Sequence, residues 1–381
     1  MRVLYLVSHP IQYQAPLLRL IAAEPDIELK VLFERLPNDG PCYDHGFQAD
    51  VQWDVPTTEG YNHFEVGSVS HVETKLRSAD IVWVHGWDSA LKRRALKSAR
   101  RAGVPVLMRG ENTLQAMPDG AGLRGMVKRA YLNRIFRHIG GFLCIGAENR
   151  RYYEAHGVEA ARLFSMPYAV DNDFFQVRAQ EAAGRREAFR AELGLDAGPP
   201  VILFAGKLHR RKHPRTLLEA FARIDPESSG RPYLVFVGDG EERAAVKAAI
   251  KADGSRVRFM GFRNQTEMPA FYDLADVFVL AGEQEPWGLA VNEAMNGSCA
   301  IVVSEACGCA ADLIDPSCGR VVAPADADAL AEALDNILSL PGRARAMGEA
   351  ALDRISQWGF AEDLEGLRQA LKAVRPGPPK A

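Results

Sequence analysis

The feature that most constrains this 381-residue chain is one pattern that occurs twice: short apolar runs, each closed by Gly, Pro or polar residues, with amphipathic stretches between several of them. Apolar runs without alternation suit strands buried on both faces, and amphipathic stretches suit helices that cover them, so the pattern predicts a parallel sheet wound by helices. Its first occurrence predicts strands at 2–8, 27–33, 81–85, 104–108, 141–145 and 163–167. A polar segment rich in Ala, Arg and Glu follows, closed by Gly198-Pro199-Pro200. The pattern then restarts, with strands at 201–205, 233–237, 257–260, 277–280, 300–303 and 320–322 and helices over 213–224, 241–252, 266–274 and 289–296. Further helices at 326–340, 343–355 and 360–374 have no strand after them. The expected fold class is α/β, with two Rossmann-like doubly wound domains. Their expected bounds are 1–175 and 199–355, with a linker at 176–198, a helix at about 356–374 packing back on the first domain, and a disordered Pro/Gly tail at 375–381.

A net charge of -3 argues against general nucleic-acid binding, which needs a basic excess. The apolar run at the start is short and soon meets Gln12 and Gln14, so it reads as a first strand rather than a signal peptide. No apolar stretch reaches the ~20 residues that span a bilayer, and cytoplasmic residence is the expectation. Cys42, Cys144, Cys299, Cys307, Cys309 and Cys318 are scattered, as in reduced structural usage. Cys307-Gly308-Cys309 has the wrong spacing for a zinc knuckle, and no metal or other cofactor is expected.

The densest chemistry lies between Leu280 and Gly297, where a strand ends, Glu285-Pro286-Trp287-Gly288 turns and a helix begins at Leu289. Helical N–H groups there suit a diphosphate, while Glu285, just ahead of the helix, and Glu293, about one and a half turns into it, suit sugar hydroxyls. A second signal closes the strand at 201–205: Gly206-Lys207 and, five residues on, Lys212 place cations at the carboxyl edge of the sheet, where doubly wound folds bind phosphates. Arg210 and Arg211 read as a solvated basic loop, and His209 and His213 as solvated or structural.

These residues make the chain similar to a known family. Gly206-Lys207 with Lys212, Gly238-Asp239-Gly240, Val257-Arg258-Phe259-Met260-Gly261, Tyr272-Asp273-Leu274-Ala275-Asp276 and Glu285 with Glu293 resemble, in order and spacing, the large retaining family 4 of GT-B glycosyltransferases. The resemblance is dense from about 140 to 340 and weak toward the N-terminus. It implies two domains facing a central cleft and a nucleotide-diphosphate sugar as donor. It implies catalytic parts for Glu285, Lys207 and Lys212, the lysines binding the diphosphate and steadying the departing nucleotide. Donor contacts would come from Gly206, Gly261, Phe262, Pro286, Trp287, Gly288 and Leu289, with Glu285 on sugar hydroxyls and Glu293 on the ribose. Lys207 stands where the family usually has Arg, Ala281-Gly282 where it commonly has Pro-Ser, and Tyr168 to Asp171 where it commonly has Asn-Gly-Val-Asp.

The N-terminal half departs further, since its first loop, 8–16, lacks the Gly-Gly pair of many relatives. A loop without glycines meets a ligand through side chains, which makes His9, Gln12 and Tyr13 acceptor candidates. His85, Arg109 and Glu111 end neighbouring strands and join them. The acceptor expected is a saccharide or a polyisoprenoid-linked or other lipid-linked saccharide, in bacterial surface polysaccharide or glycolipid assembly. Basic segments 92–101 and 124–137 raise the expectation of peripheral docking on the inner face of an anionic membrane, against a plain solvated face. The competing functions are a non-catalytic nucleotide-sugar-binding relative and a sugar-nucleotide epimerase of the same fold.

Overall fold

The computed structural model describes residues 1–36, 40–66, 69–120, 122–227, 229–250 and 254–375, and the chain divides into two compact units. The first comprises Met1–Gly40, Pro56–Ala169 and Gly359–Ala381, the second Pro41–Val55 and Val170–Trp358.

In the first unit, seven parallel strands lie in the order His63–Glu65, Glu28–Phe33, Arg2–Val7, Ile81–His85, Val106–Arg109, Gly141–Cys144, Leu163–Ser165. The order runs outward from Arg2–Val7 and Ile81–His85, so the carboxyl ends of these two strands flank a topological switch point, the usual ligand position of such sheets. Leu4, Leu6, Val82 and Val84 fill the core on one sheet face; Val3, Tyr5, Ile81 and Trp83 fill it on the other. The helix Phe360–Val374 adds Leu367, Ala370 and Leu371 to the second of these cores, where burial of each leucine contributes about 1.5–3 kcal/mol. Gly366 lets it approach, because a Cβ there would stand 1.6 Å from the Ser165 carbonyl oxygen. Beside it Arg109 donates to Asp363 Oδ1 at 3.0 Å and to the carbonyls of Met166 and Pro167 at 3.1 and 2.9 Å. Burial pushes the Asp363 carboxyl up to about 7 against the pull of that guanidinium.

In the second unit, six parallel strands take the order Val257–Gly261, Tyr233–Val237, Val201–Ala205, Val277–Leu280, Ala300–Ser304, Gly319–Val322. This is the dinucleotide-binding order, with its switch point between Val201–Ala205 and Val277–Leu280. Each predicted strand of both sheets is present, with ends displaced by two residues or fewer.

Two boundaries differ from the expectation. The span 176–198 is no linker: Asn172–Ala183 and Arg186–Glu192 are helices of the second unit. Asp171 caps the first by accepting the Phe174 N–H at 3.0 Å, and Phe175 and Ala179 bury its inner side. Arg186 pairs with Asp273, and the buried Arg190 donates to the Asp196 and Pro199 carbonyls. The Ala/Arg/Glu composition reflects helix propensity rather than solvation. The antiparallel pair Cys42–Asp44 and Ala49–Val51, expected within the first domain, counts with the second unit. Strands of three residues leave no apolar run to read. Arg375 ends the described chain, so the rest of the expected disordered tail lies outside the described residues.

Candidate functional site

The switch point of the second unit gathers most of the chemistry. Val201–Ala205 ends in Gly206-Lys207, and Val277–Leu280 runs on into the turn that holds Glu285. Lys212 Nζ stands 3.1 Å from Glu285 Oε2, each side chain 13% exposed. That oxygen is buried and accepts no hydrogen bond in good geometry among the described residues: the ammonium pairs its charge without aligning on it. A ligand hydroxyl donating to Oε2 would remove the desolvation cost of such an atom. Arg211, expected in a solvated loop, donates to the Gln284 carbonyl at 2.9 Å and lies 3.6 Å from Glu285 Oε2, which fixes the turn from outside.

The loop 307–309 fixes that turn from inside. Gly308 N–H donates to the Glu285 carbonyl at 2.9 Å, and Cys309 N–H and the Cys307 thiol donate to the Trp287 carbonyl at 3.1 and 3.0 Å. Cys307 and Cys309 are buried free thiols, and their part as a clamp carries no signal in their spacing. Gly288 adopts φ +98°, and a Cβ there would meet Cys307 Sγ at 2.8 Å, so only glycine fits both the conformation and the space. Leu289–Asn296 begins immediately after; the Val291 N–H donates to the Gly288 carbonyl at 2.8 Å, and the N–H groups before it have no helical residue one turn back to accept them.

Two expected donor residues are placed differently. Trp287 is 3% exposed, donates from Nε1 to Asn292 Oδ1 at 2.9 Å and stacks on Trp358 at 5.5 Å, so it supports the turn from within the core. Glu293 is buried and accepts the Tyr272 hydroxyl, which ties Leu289–Asn296 to Met268–Leu274. The sequence spacing gave both carboxylates ligand roles, but the geometry leaves Glu285 the more accessible. Close backbone approach shapes the neighbouring turn: Gly206 N–H donates to the Val237 carbonyl, and a Cβ on Gly238 would stand 2.0 Å from the Gly206 oxygen. Lys207 meets Asp44, with Nζ at 2.8 and 2.9 Å from the two carboxylate oxygens, and Phe262, after Gly261, packs edge-on to Phe47 at 4.9 Å.

The acceptor candidates of the first unit sort by burial. Arg109 is 1% exposed and its Nη2 donates to Asp363 and two carbonyls, while its buried Nε has no hydrogen-bond partner among the described residues, so its observed contacts are those of a structural anchor. Gln12 is buried, while Tyr13 is half-buried and His9 is exposed. Desolvation first, then the charges of Arg35 and Lys92, hold the His9 imidazole below its usual value, toward the neutral form. His85 and Glu111 come together, Nε2 to Oε1 3.7 Å, in a network that sequence reasoning missed. The Tyr168 hydroxyl donates to Glu111 at 2.5 Å, the Tyr5 hydroxyl donates to Gln14 Oε1 at 3.0 Å, and the same Tyr5 oxygen lies 3.0 Å from His85 Nδ1. Burial raises the Glu111 carboxyl, but His85 and Tyr168 outweigh it and the net shift is downward, so Glu111 is ionised at neutral pH. Tyr5 and Tyr168 lie in or beside strands that read only as apolar core.

The two basic segments also part company. In 92–101, Lys92 is buried on Asp88 at 2.8 Å, and Arg94 faces Glu73 at 3.7 Å. In the helix Gly122–Phe136, Leu132 and Phe136 are core, but Leu123, Met126, Val127 and Tyr131 lie along one side at 75, 69, 62 and 48% exposure, with Arg124 and Arg134 exposed beside them. Among the described residues no helix is long and apolar enough to cross a membrane.

Residues 185–354 match the family model described as Glycosyl transferases group 1. The D-inositol 3-phosphate glycosyltransferase of Nocardia farcinica is 26% identical over 235 residues, 60% of this chain and 51% of that protein. D-inositol 3-phosphate glycosyltransferase 2 of Catenulispora acidiphila is 27% identical over 219 residues, 54% of this chain and 49% of that protein. The chain thus spans about half the length of the curated relatives it matches. Among solved structures, Anabaena HepE in complex with UDP is similar at a TM-score of 0.75 and 16% identity, over 98% of this chain and 100% of that one. Sucrose-phosphate synthase from Thermosynechococcus elongatus is similar at 0.69 and 20%, over 98 and 99%. With its two Rossmann-like halves, the fold is GT-B.

Proposed function

We propose that this chain, whose residues 185–354 match the group 1 glycosyl transferase model, transfers a hexosyl-type sugar from a nucleotide-diphosphate sugar, with retention of configuration, to a saccharide or lipid-linked saccharide acceptor. The observation that carries the reading is the buried Glu285 oxygen, charge-paired to Lys212 but without a hydrogen bond, beside the first turn of Leu289–Asn296. A carboxylate so placed takes sugar hydroxyls, and the ammonium and helix end carry the charge that develops on the departing diphosphate. In this reading that charge is met by protein cations, and no part is assigned to a metal. His85, Glu111, His9 and Tyr13 form the acceptor side, where an ionised Glu111 beside an imidazole orients a hydroxyl. The setting proposed is bacterial surface polysaccharide or glycolipid assembly in the cytoplasm.

The test is release of nucleoside diphosphate from a panel of nucleotide sugars in the presence of membrane lipid extract. UDP-hexoses come first, since a structure similar in fold holds UDP-glucose. Release from one donor, dependent on the extract, is the expected result. Tight donor binding without release under any acceptor would favour a non-catalytic nucleotide-sugar-binding protein.

The helix Gly122–Phe136 supports peripheral docking on anionic membrane. Its exposed Leu123, Met126 and Val127 can enter the interface while neighbouring cations each add ~1 kcal/mol near the surface. Co-sedimentation with anionic but not zwitterionic vesicles is expected, and serine at all three apolar positions should weaken it by about tenfold or more. Equal pelleting of the wild type and the triple variant would remove this helix as the anchor. Segment 92–101, where Lys92 and Arg94 of its six cations pair with Asp88 and Glu73, contributes less.

A further inference from the structure

We propose that the hairpin Pro41–Val55 is a latch over the donor site, its Asp44 carboxylate occupying the position on Lys207 that a donor phosphate takes over. The inference rests on the nucleotide-sugar reading above. Both Asp44 oxygens lie within hydrogen-bond reach of one ammonium, at 2.8 and 2.9 Å. The carboxylate is aimed there by its own backbone: Gly46 and Phe47 N–H donate to Oδ1 at 2.7 and 3.1 Å. Gly46 rides directly on the lysine, since a Cβ there would stand 2.5 Å from Lys207 Cδ, and the Phe47 ring lies 4.9 Å from Nζ.

The two lysines assigned to the diphosphate are therefore both charge-paired, but differently. Lys212 takes Glu285, a residue of the site's own turn; Lys207 takes a carboxylate from a segment distant in sequence. A diphosphate on Lys207 beside Asp44 would set two anions on one cation, a like-charge contact that favours departure of the carboxylate. The hairpin is built for such an exchange because its anchor lies away from the latch. Asn264 Nδ2 donates to the Gln52 carbonyl at 2.6 Å, and Thr266 N–H donates to Asp54 Oδ2 at 3.2 Å. Trp53 packs against Phe262 at 6.2 Å. Opening at 44–47 with 52–54 held strips Lys207 of both Asp44 and the Phe47 ring.

The full-length wild type and Asp44→Asn are titrated calorimetrically with UDP, GDP and ADP, and hydrogen exchange is followed over 42–51. Asp44→Asn is expected to bind the preferred diphosphate about three- to tenfold more tightly, in line with release of an ion pair whose side chains are 33 and 30% exposed. In the wild type, the same ligand should speed exchange of the Gly46 and Phe47 amides. Asp54→Ala loosens the anchor without touching the Lys207 charge and should shift affinity in the same direction, which keeps the test valid if Asp44→Asn folds poorly. Equal or weaker binding by both variants, with the wild type binding normally, overturns the latch and leaves the donor reading standing. Failure of all three proteins to bind any of the diphosphates overturns both.

Discussion

Glu285→Gln is expected to lower the rate of sugar transfer by about a hundred- to a thousandfold while leaving nucleoside diphosphate affinity unchanged or slightly tightened. The substitution keeps the shape of a side chain that sits 13% exposed on a turn fixed by Arg211 and the 307–309 loop, so the fold has no reason to respond. Two things change at the site. The buried carboxylate oxygen loses its charge, and Lys212 loses its counterion at 3.1 Å. An unpaired ammonium attracts a bound diphosphate more strongly in the ground state, whereas orientation of the sugar matters most as the glycosidic bond breaks, so the loss appears in kcat rather than in diphosphate binding. Single-turnover rates alongside calorimetry separate the two. A variant that keeps its rate within about threefold would show that Glu285 takes no part in holding the reacting sugar.

How much of this was legible in the sequence depends on what carried the signal. The strands were readable because parallel strands buried on both faces are unbroken apolar runs, as in Val201–Ala205 and Ala300–Ser304. The placement of Gly206, Lys207, Lys212 and Glu285 at the switch point was readable because they follow the two apolar runs that flank it. The clamp of Cys307 and Cys309 was not, because its contacts are to the backbone of a turn some twenty residues away and depend on no spacing. Asp44 was invisible for a related reason: its strand has three residues, and its partner lies 163 positions on. Arg109 misled because a charged residue ending a strand at a sheet edge reads as a ligand contact. Only the helix Phe360–Val374, brought back over 254 positions, shows it to be buried.

Arg109→Met is accordingly expected to cost about 3–5 kcal/mol of stability in the first unit without direct effect on the donor site. It deletes the donor to Asp363 and to the Met166 and Pro167 carbonyls and leaves a fully buried carboxyl with no cation. The pH dependence separates this account from simple loss of packing. Asp363 titrates near 7 in the folded chain against ~3.9 when unfolded, so between those values the folded state binds the extra proton. Its contribution to stability is therefore full below about 4 and is lost as pH rises toward 7. Without Arg109 the folded carboxyl rises further, so Arg109→Met should lose stability over a window that extends above pH 7. Asp363→Asn, which cannot titrate, should flatten the slope. Thermal unfolding of the three proteins from pH 5 to 8 checks the set, and identical pH slopes for wild type and Asp363→Asn would rule out Asp363 as the titrating group. With the pair gone, the helix start at Gly359 retains its cap from Glu362, while Leu367 and Leu371 still bury in the core, so the expected lesion is local opening of the helix N-terminus before the sheet yields.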